Sequence, residues 1–242
     1  MDRIGDYTTA PHAAPAGWVV AGLRGFAESV PSVVPAGLEA YARVFHPAQR
    51  RDGNHWTPVS WHQVACANRR VAHPAMQWCS LVGSCSLTGG GQSQPGVWDL
   101  EPAEGSLPRD LAPVLAEVLA GHTAMPERCW FGVWEGYGAL AVPQDAAAFE
   151  IPSRRMLLLG GPIRAVGTAS LCQAPFWQSP NLWWPDDQAW CVATEIDLTT
   201  TYIGASQRCV QAIAEHAGLE AAAVEQTDGI THFSDSVNPP PG

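Results

Sequence analysis

Residues 190–214 read WCVATEIDLTTTYIGASQRCVQAIA, and their order of patterns points to the fold class. Residues 190–198 alternate, with Trp190, Val192, Thr194 and Ile196 on one side and Cys191, Ala193, Glu195 and Asp197 on the other, as a strand requires. Residues 200–203 form a second β-branched and aromatic run. Ser206 then opens a helix in which Cys209, Val210, Ile213, Ala214 and Ala217 share a face, with Gly218 as the expected end. Two strands in succession followed by a helix belong to a mixed order of elements with no strand–helix–strand alternation. The pairing is expected to be antiparallel.

The rest of the chain fits the same class. Residues 38–46 (LEAYARVFH) read as a strand with Tyr41, Arg43 and Phe45 on one face, and QRRDGN at 49–54 reads as a polar turn. Ser60 with Gln63 has the spacing of a capping box for a helix over 61–70. Asp110 is expected to cap a helix whose Leu111, Val114, Leu115, Val118 and Leu119 form an apolar stripe closed by Gly121. Residues 129–135, 139–142 and 156–159 look like strands, the first two joined as a hairpin by Glu135-Gly136-Tyr137-Gly138. Residues 167–188 read as a long loop. The expected fold is α+β, a mainly antiparallel sheet with helices packed on one face. Residues 1–16 are expected to be a loose arm and 238–242 a frayed tail. Residues 17–237 form one α+β domain, and the Gly/Ser/Pro-rich stretch 84–109 is where it would divide into subdomains.

Of the 242 residues, 46% are hydrophobic and 15% charged, which excludes a disordered chain. The 23 acidic residues outnumber 13 basic ones, all Arg, for a net charge of −10. That balance argues against nucleic acid and against an anionic membrane as partners. No apolar run is long enough to span a bilayer and no signal segment is visible, so the expected compartment is the cytoplasm. Most of the 7 cysteines are then expected to be free. No phosphate loop, dinucleotide fingerprint, zinc-protease or calcium-loop motif occurs, so no cofactor is expected.

Five groups of residues could carry chemistry. Cys66, His73, Cys79 and Cys85 lie close in sequence, but their spacing matches no standard zinc knuckle, and buried thiols are the simpler account; no metal site is assigned. Glu195 and Asp197, on one face of the expected strand, could hold a divalent cation or act as an acid/base pair, against the plainer reading of a solvated strand face. Trp130 and Trp134 flank Gly132, which would leave a slot for a planar ring with Glu135 beside it; two core indoles are the competing account. In NLWWPDD (181–187), two adjacent Trp in a loop bracketed by prolines cannot easily both be buried, which makes Trp183, Trp184, Asp186 and Asp187 contact candidates. Cys85 could be a nucleophile with His55, His73 or His122 as base, although His122 follows a helix end, where a cation is favoured anyway.

The runs YARVFHPA (41–48), WFGVWEG (130–136) and PNLWWPDDQAWCVATEIDLTTTYIGAS (180–206) resemble a group of actinobacterial proteins from which no activity carries over. At the level of architecture the chain is similar to SUKH (SMI1/KNR4-like) proteins, a class that includes toxin-immunity proteins. Two functions follow as expectations. The first is a non-enzymatic adaptor- or immunity-like protein that engages an unidentified protein partner through its acidic surface and through Trp183, Trp184, Asp186 and Asp187. The second is a hydrolase or a sugar- or small-molecule-binding protein, with Trp130 and Trp134 stacking on the ligand and Glu135, Glu195 and Asp197 as catalytic carboxylates. The first requires exposed indoles. The second requires a carboxylate with a raised pKa in a concave pocket.

Overall fold

The computed structural model describes residues 2–25, 29–85 and 92–240. The fold is α+β, built on one antiparallel sheet of ten strands. Numbered in chain order and given in spatial order, the strands are β1 (Arg3–Ile4), β2 (Tyr7–Thr9), β8 (Arg154–Gly161), β6 (Cys129–Trp134), β9 (Leu182–Pro185), β10 (Cys191–Ala193), β11 (Thr200–Ala205), β3 (Ala40–Phe45) and β12 (Ala221–Val224). β7 (Ala148–Ile151) also pairs with β8.

Alternation sends each strand's side chains to two different cores. Ala42, Val44, Phe131, Val133, Leu157, Trp183, Val192 and Ile203 join one core, beneath α4 (Leu111–Ala120), α5 (Ala165–Thr168) and α6 (Gln207–Ala214). Tyr41, Met156, Leu158, Trp184, Cys191 and Tyr202 join the other, covered by α1 (Gly17–Gly22) and by Val30, Val33 and Val34. A third cluster lies beyond Phe45. There the hairpin β4 (Ala48–Asp52)–β5 (His55–Val59), α2 (Trp61–Ala67) and α3 (Trp78–Val82) enclose Trp61, Trp78 and Trp98.

Two helix starts follow the sequence closely, whereas Asp110, expected to cap α4, makes no side-chain cap hydrogen bond. Ser60 accepts from the Gln63 amide and Gln63 returns the bond, forming the capping box of α2. Glu220 takes the Trp61 and His62 amides at 2.7 Å each, satisfying further donors that a helix start leaves open. Ser206 caps α6 by accepting from the Cys209 amide. The ends differ from expectation. α2 stops at Ala67, because Arg69 adopts a left-handed φ of 55°. α6 stops at Ala214, with Glu215 rather than Gly218 as its cap.

Other differences come from long-range pairing. β6 pairs with β8 and β9, so no hairpin forms at 135–138, and residues 139–142 contribute one bridge, Leu140 to Cys172. The strand expected over 190–198 is cut to Cys191–Ala193, since the chain turns where Leu198 N donates to the Glu195 carbonyl. The stretch read as a loose arm supplies β1 and β2, and Tyr7 is fully buried. Within the supposed linker, residues 86–91 lie outside the described residues, but Trp98 and Leu107 are core residues. In the supposed tail, Asn238 is buried and exchanges two hydrogen bonds with the Val71 backbone; residues 241–242 lie outside the described residues.

The largest correction concerns Trp183 and Trp184. They are 0% and 1% exposed, in the middle of the sheet, because residues 182–185 are strand β9 rather than loop. Adjacent strand residues face opposite sides, and both sides of this sheet are covered, so both indoles are buried. Trp183 packs edge-on against Trp190, and Trp184 against Trp18 and Phe149.

Candidate functional site

The turn after β10 delivers Glu195 and Asp197 to the end of β8. There the Arg154 guanidinium donates to Glu195 Oε1 at 3.2 Å and to Asp197 Oδ2 at 3.0 Å. The Asp197 amide donates to the other Glu195 oxygen at 2.6 Å. A tight turn and a shared cation therefore unite the two carboxylates, not strand alternation. Arg154 also lies 5.6 Å from the Trp134 ring centroid, and Trp134 packs edge-on against Tyr137.

Two adjoining hollows meet at Glu195. A narrow one of about 30 Å³ runs between Val33, Ile151, Met156, Leu182 and Ala193 to Arg154 and Glu195. A wider one of about 160 Å³ has Val33, Leu198 and Ile230 as apolar walls and Glu195, Asp197 and His232 as polar ones. The latter matches a cavity of about 150 Å³ that accommodates a benzene ring.

Negative charge is in excess here. The Glu195 side chain is mostly buried, and that burial, followed by the Asp197 charge, raises its carboxyl above the usual value against the opposing pull of Arg154. Exposed Glu104 is close enough to join the group. The partial desolvation of its carboxylate and the charges of Asp197, Glu101 and Glu195 raise it, while His232 acts in the other direction.

The wall behind Glu195 is rigid and polar. Asn181 donates to the carbonyls of Gly105 (3.1 Å) and Thr194 (3.0 Å) and to the Tyr137 hydroxyl (3.0 Å), and accepts from the Trp134 amide (3.0 Å). Buried His46 completes it. Burial lowers its pKa to about 4, so the ring is neutral, and Nδ1, 2.6 Å from the Ala103 carbonyl, must carry the proton. Nε2 then accepts from Thr201 at 2.9 Å, and Thr201 accepts from Thr194 at 2.7 Å.

The remaining candidates separate from this site. Glu135 pairs with Arg155, on the neighbouring position of β8, and does not line either hollow. The slot between Trp130 and Trp134 is already filled: a Cβ on Gly132 would meet Phe149 Cζ at 2.9 Å. Trp130 instead donates its indole N–H to Asp186 at 3.0 Å; this bond, then the Arg128 contact, holds the Asp186 carboxyl below its usual range. Asp187 takes the Thr123 hydroxyl and the Ala124 amide at 2.8 Å each. Both aspartates thus fasten the loop before β6 to the end of β9. Cys66 is exposed, 3.6 Å from His62. His73 bonds Asp235 at 3.0 Å, and Cys79 and Cys85 are joined as a disulfide, which removes Cys85 as a free nucleophile.

Arg154, Glu104, Asn181 and His232 were not legible as site residues. Adjacent arginines stand at 50–51, 69–70 and 154–155, so the pair at 154–155 did not single out Arg154. No family model matches the chain, and neither a curated protein nor a solved structure matches it. No helix among the described residues is long and apolar enough to cross a membrane.

Proposed function

We propose that the chain is a small-molecule-binding protein whose cleft takes an organic cation: an apolar body of about ring size ending in an ammonium or amidinium group. The observation that supports this reading is the mostly buried Glu195 carboxylate at the end of an apolar hollow, sharing its one arginine with Asp197. A cationic head placed there offsets the charge that Arg154 leaves uncompensated, and Val33, Leu198 and Ile230 cover the apolar body.

Calorimetric titration with benzylammonium, benzyl alcohol and benzoate tests this directly. Benzylammonium is expected to bind, more weakly at high salt, and at least tenfold more weakly to Glu195→Gln. Preference for benzoate, with Arg154 as the receiving group, would overturn it.

A partner protein is the second reading, and its contact surface is relocated from β9. Val71 and Val237 are 55% and 54% exposed, and the Asn238 bonds to the Val71 backbone bring their chain segments together on an acidic molecule. Binding of a partner that is lost in Val71→Asp with Val237→Asp, and kept in Glu195→Gln, would favour this reading.

A further inference from the structure

We propose that Cys79, Cys85 and His232 form a metal site of the zinc class, available only when the Cys79–Cys85 pair is reduced. Their ligand atoms all lie within 4.8 Å of one another. Tetrahedral zinc, with bonds of about 2.3 Å to sulfur and 2.0–2.1 Å to nitrogen, places neighbouring ligand atoms about 3.6–3.8 Å apart. The three side chains therefore reach that geometry through rotamer changes and small shifts.

Local structure brings the two cysteines together. Cys79 lies in the first turn of α3, and Gly83 ends that helix with a left-handed φ of 78°, folding the chain back until the two Cα atoms are 4.9 Å apart. His232 arrives from the far end of the chain and is held there by Gln77, the residue preceding α3. The Gln77 side-chain amide donates to Ser234 Oγ at 2.9 Å and to the Gly229 carbonyl at 3.2 Å, and its backbone amide donates to Asp235 at 3.2 Å. His73 grips the same Asp235. Among the described residues, no group hydrogen-bonds either ring nitrogen of His232. The segment carrying His232 is clamped, and its imidazole presents uncommitted nitrogens within reach of both sulfurs.

The disulfide and the metal exclude each other. A dithiol reductant supplies two electrons and two protons, breaking the S–S bond to give two thiols and leaving the reductant oxidised as its own disulfide. A divalent cation then displaces both thiol protons to solvent. Two thiolates and a neutral imidazole around a dication carry no net charge, so a partly buried site needs no further counter-ion. Three protein ligands leave a fourth position for water or another donor. His232 also lines the cleft, so the cation sits beside its wall. This site does not depend on the organic-cation reading, which concerns Glu195 in the metal-free protein.

The probe is Co²⁺, followed by Zn²⁺ in competition, titrated into the full chain after phosphine reduction and anaerobic removal of the phosphine. One equivalent of Co²⁺ is expected to give thiolate-to-metal charge-transfer bands and tetrahedral visible bands, both abolished by Zn²⁺. The oxidised protein should show neither, and His232→Ala should bind at least tenfold more weakly. Cys66→Ser should match the wild type, separating this site from the surface pair His62–Cys66. A measurement without variants is alkylation of the reduced protein with and without Zn²⁺, where Cys79 and Cys85 should be protected and Cys66 should not. Absence of charge-transfer bands, unchanged binding in His232→Ala, or equal alkylation of Cys79 and Cys85 with and without Zn²⁺ would each overturn the proposal.

Discussion

His46 stands out among the single residues, because its neutrality is built into the core. The unfolded chain takes up a proton near the ordinary histidine value, whereas the folded chain does so only near its lowered pKa of about 4. Between those limits the unfolded state binds more protons, so stability falls as the pH drops through that window, by about 3 kcal/mol in all. Denaturant midpoints between pH 7 and pH 4 should show this slope, and His46→Gln should flatten it. Glu195 behaves in the opposite sense. Its folded pKa is raised, so the unfolded state is the first to ionise, and Glu195 costs stability as the pH rises from the normal carboxylate value to its raised one. Glu195→Gln should therefore be more stable than the wild type at neutral pH without ligand, read as a higher thermal midpoint, while losing the ligand. Trp183→Ala is expected to cost about 3–5 kcal/mol, since it removes a fully buried indole packed on Trp190. Chemical denaturation will show that loss, and reduced partner capture by such a variant would report unfolding rather than a contact.

Among elements, the turn carrying Glu195 and Asp197 depends on its neighbour at Gly105. Gly105 has a left-handed φ of +70°, and a Cβ there would meet the Ile196 carbonyl oxygen at 2.6 Å. Its own carbonyl accepts from Tyr137, Gln178 and Asn181. Gly105→Ala is expected to cost about 1–3 kcal/mol for the backbone conformation alone. It should also push the 195–198 turn away from Arg154, so cation affinity should fall more than in an equally destabilised variant remote from the cleft. Paired thermal melts and titrations distinguish the two effects. At this scale the sequence was informative where the signal is local. The Ser60 box and the Ser206 cap stand where their spacing put them, whereas the buried face of α4 is Ala112, Leu115, Ala116 and Leu119, with Leu111, Val114 and Val118 only partly covered. It misled at 135–138, where an aromatic run, a Gly-rich turn and an aliphatic run look like a hairpin. β6 takes partners from residues 154–161 and 182–185 instead, and no local spacing encodes those pairings.

For the whole molecule, the decisive feature is a sheet covered on both faces and closed at one side by the first residues of the chain. β2 protects β8 through antiparallel pairing at Thr8–Gly160 and Thr9–Leu159. Deleting residues 2–9 removes fully buried Tyr7 from the core and bares one edge of β8, so a loss of at least about 3 kcal/mol is expected. Thermal unfolding with light scattering should show a lower midpoint and earlier aggregation.

The amino-acid sequence by itself determined the class of structure, because alternation, capping and helical periodicity act over a few residues and are written in side-chain type. It also determined that Glu195 and Asp197 share a neighbourhood, being two residues apart. Only the tertiary structure decided that Trp183 and Trp184 are core residues, since burial depends on what covers each face of β9. It alone joined Arg154 to Glu195, His232 to Cys79 and Cys85, and Phe149 to the gap at Gly132. Each of those contacts closes a loop of chain whose ends meet through packing of the whole sheet, and no local pattern records where such a loop will close.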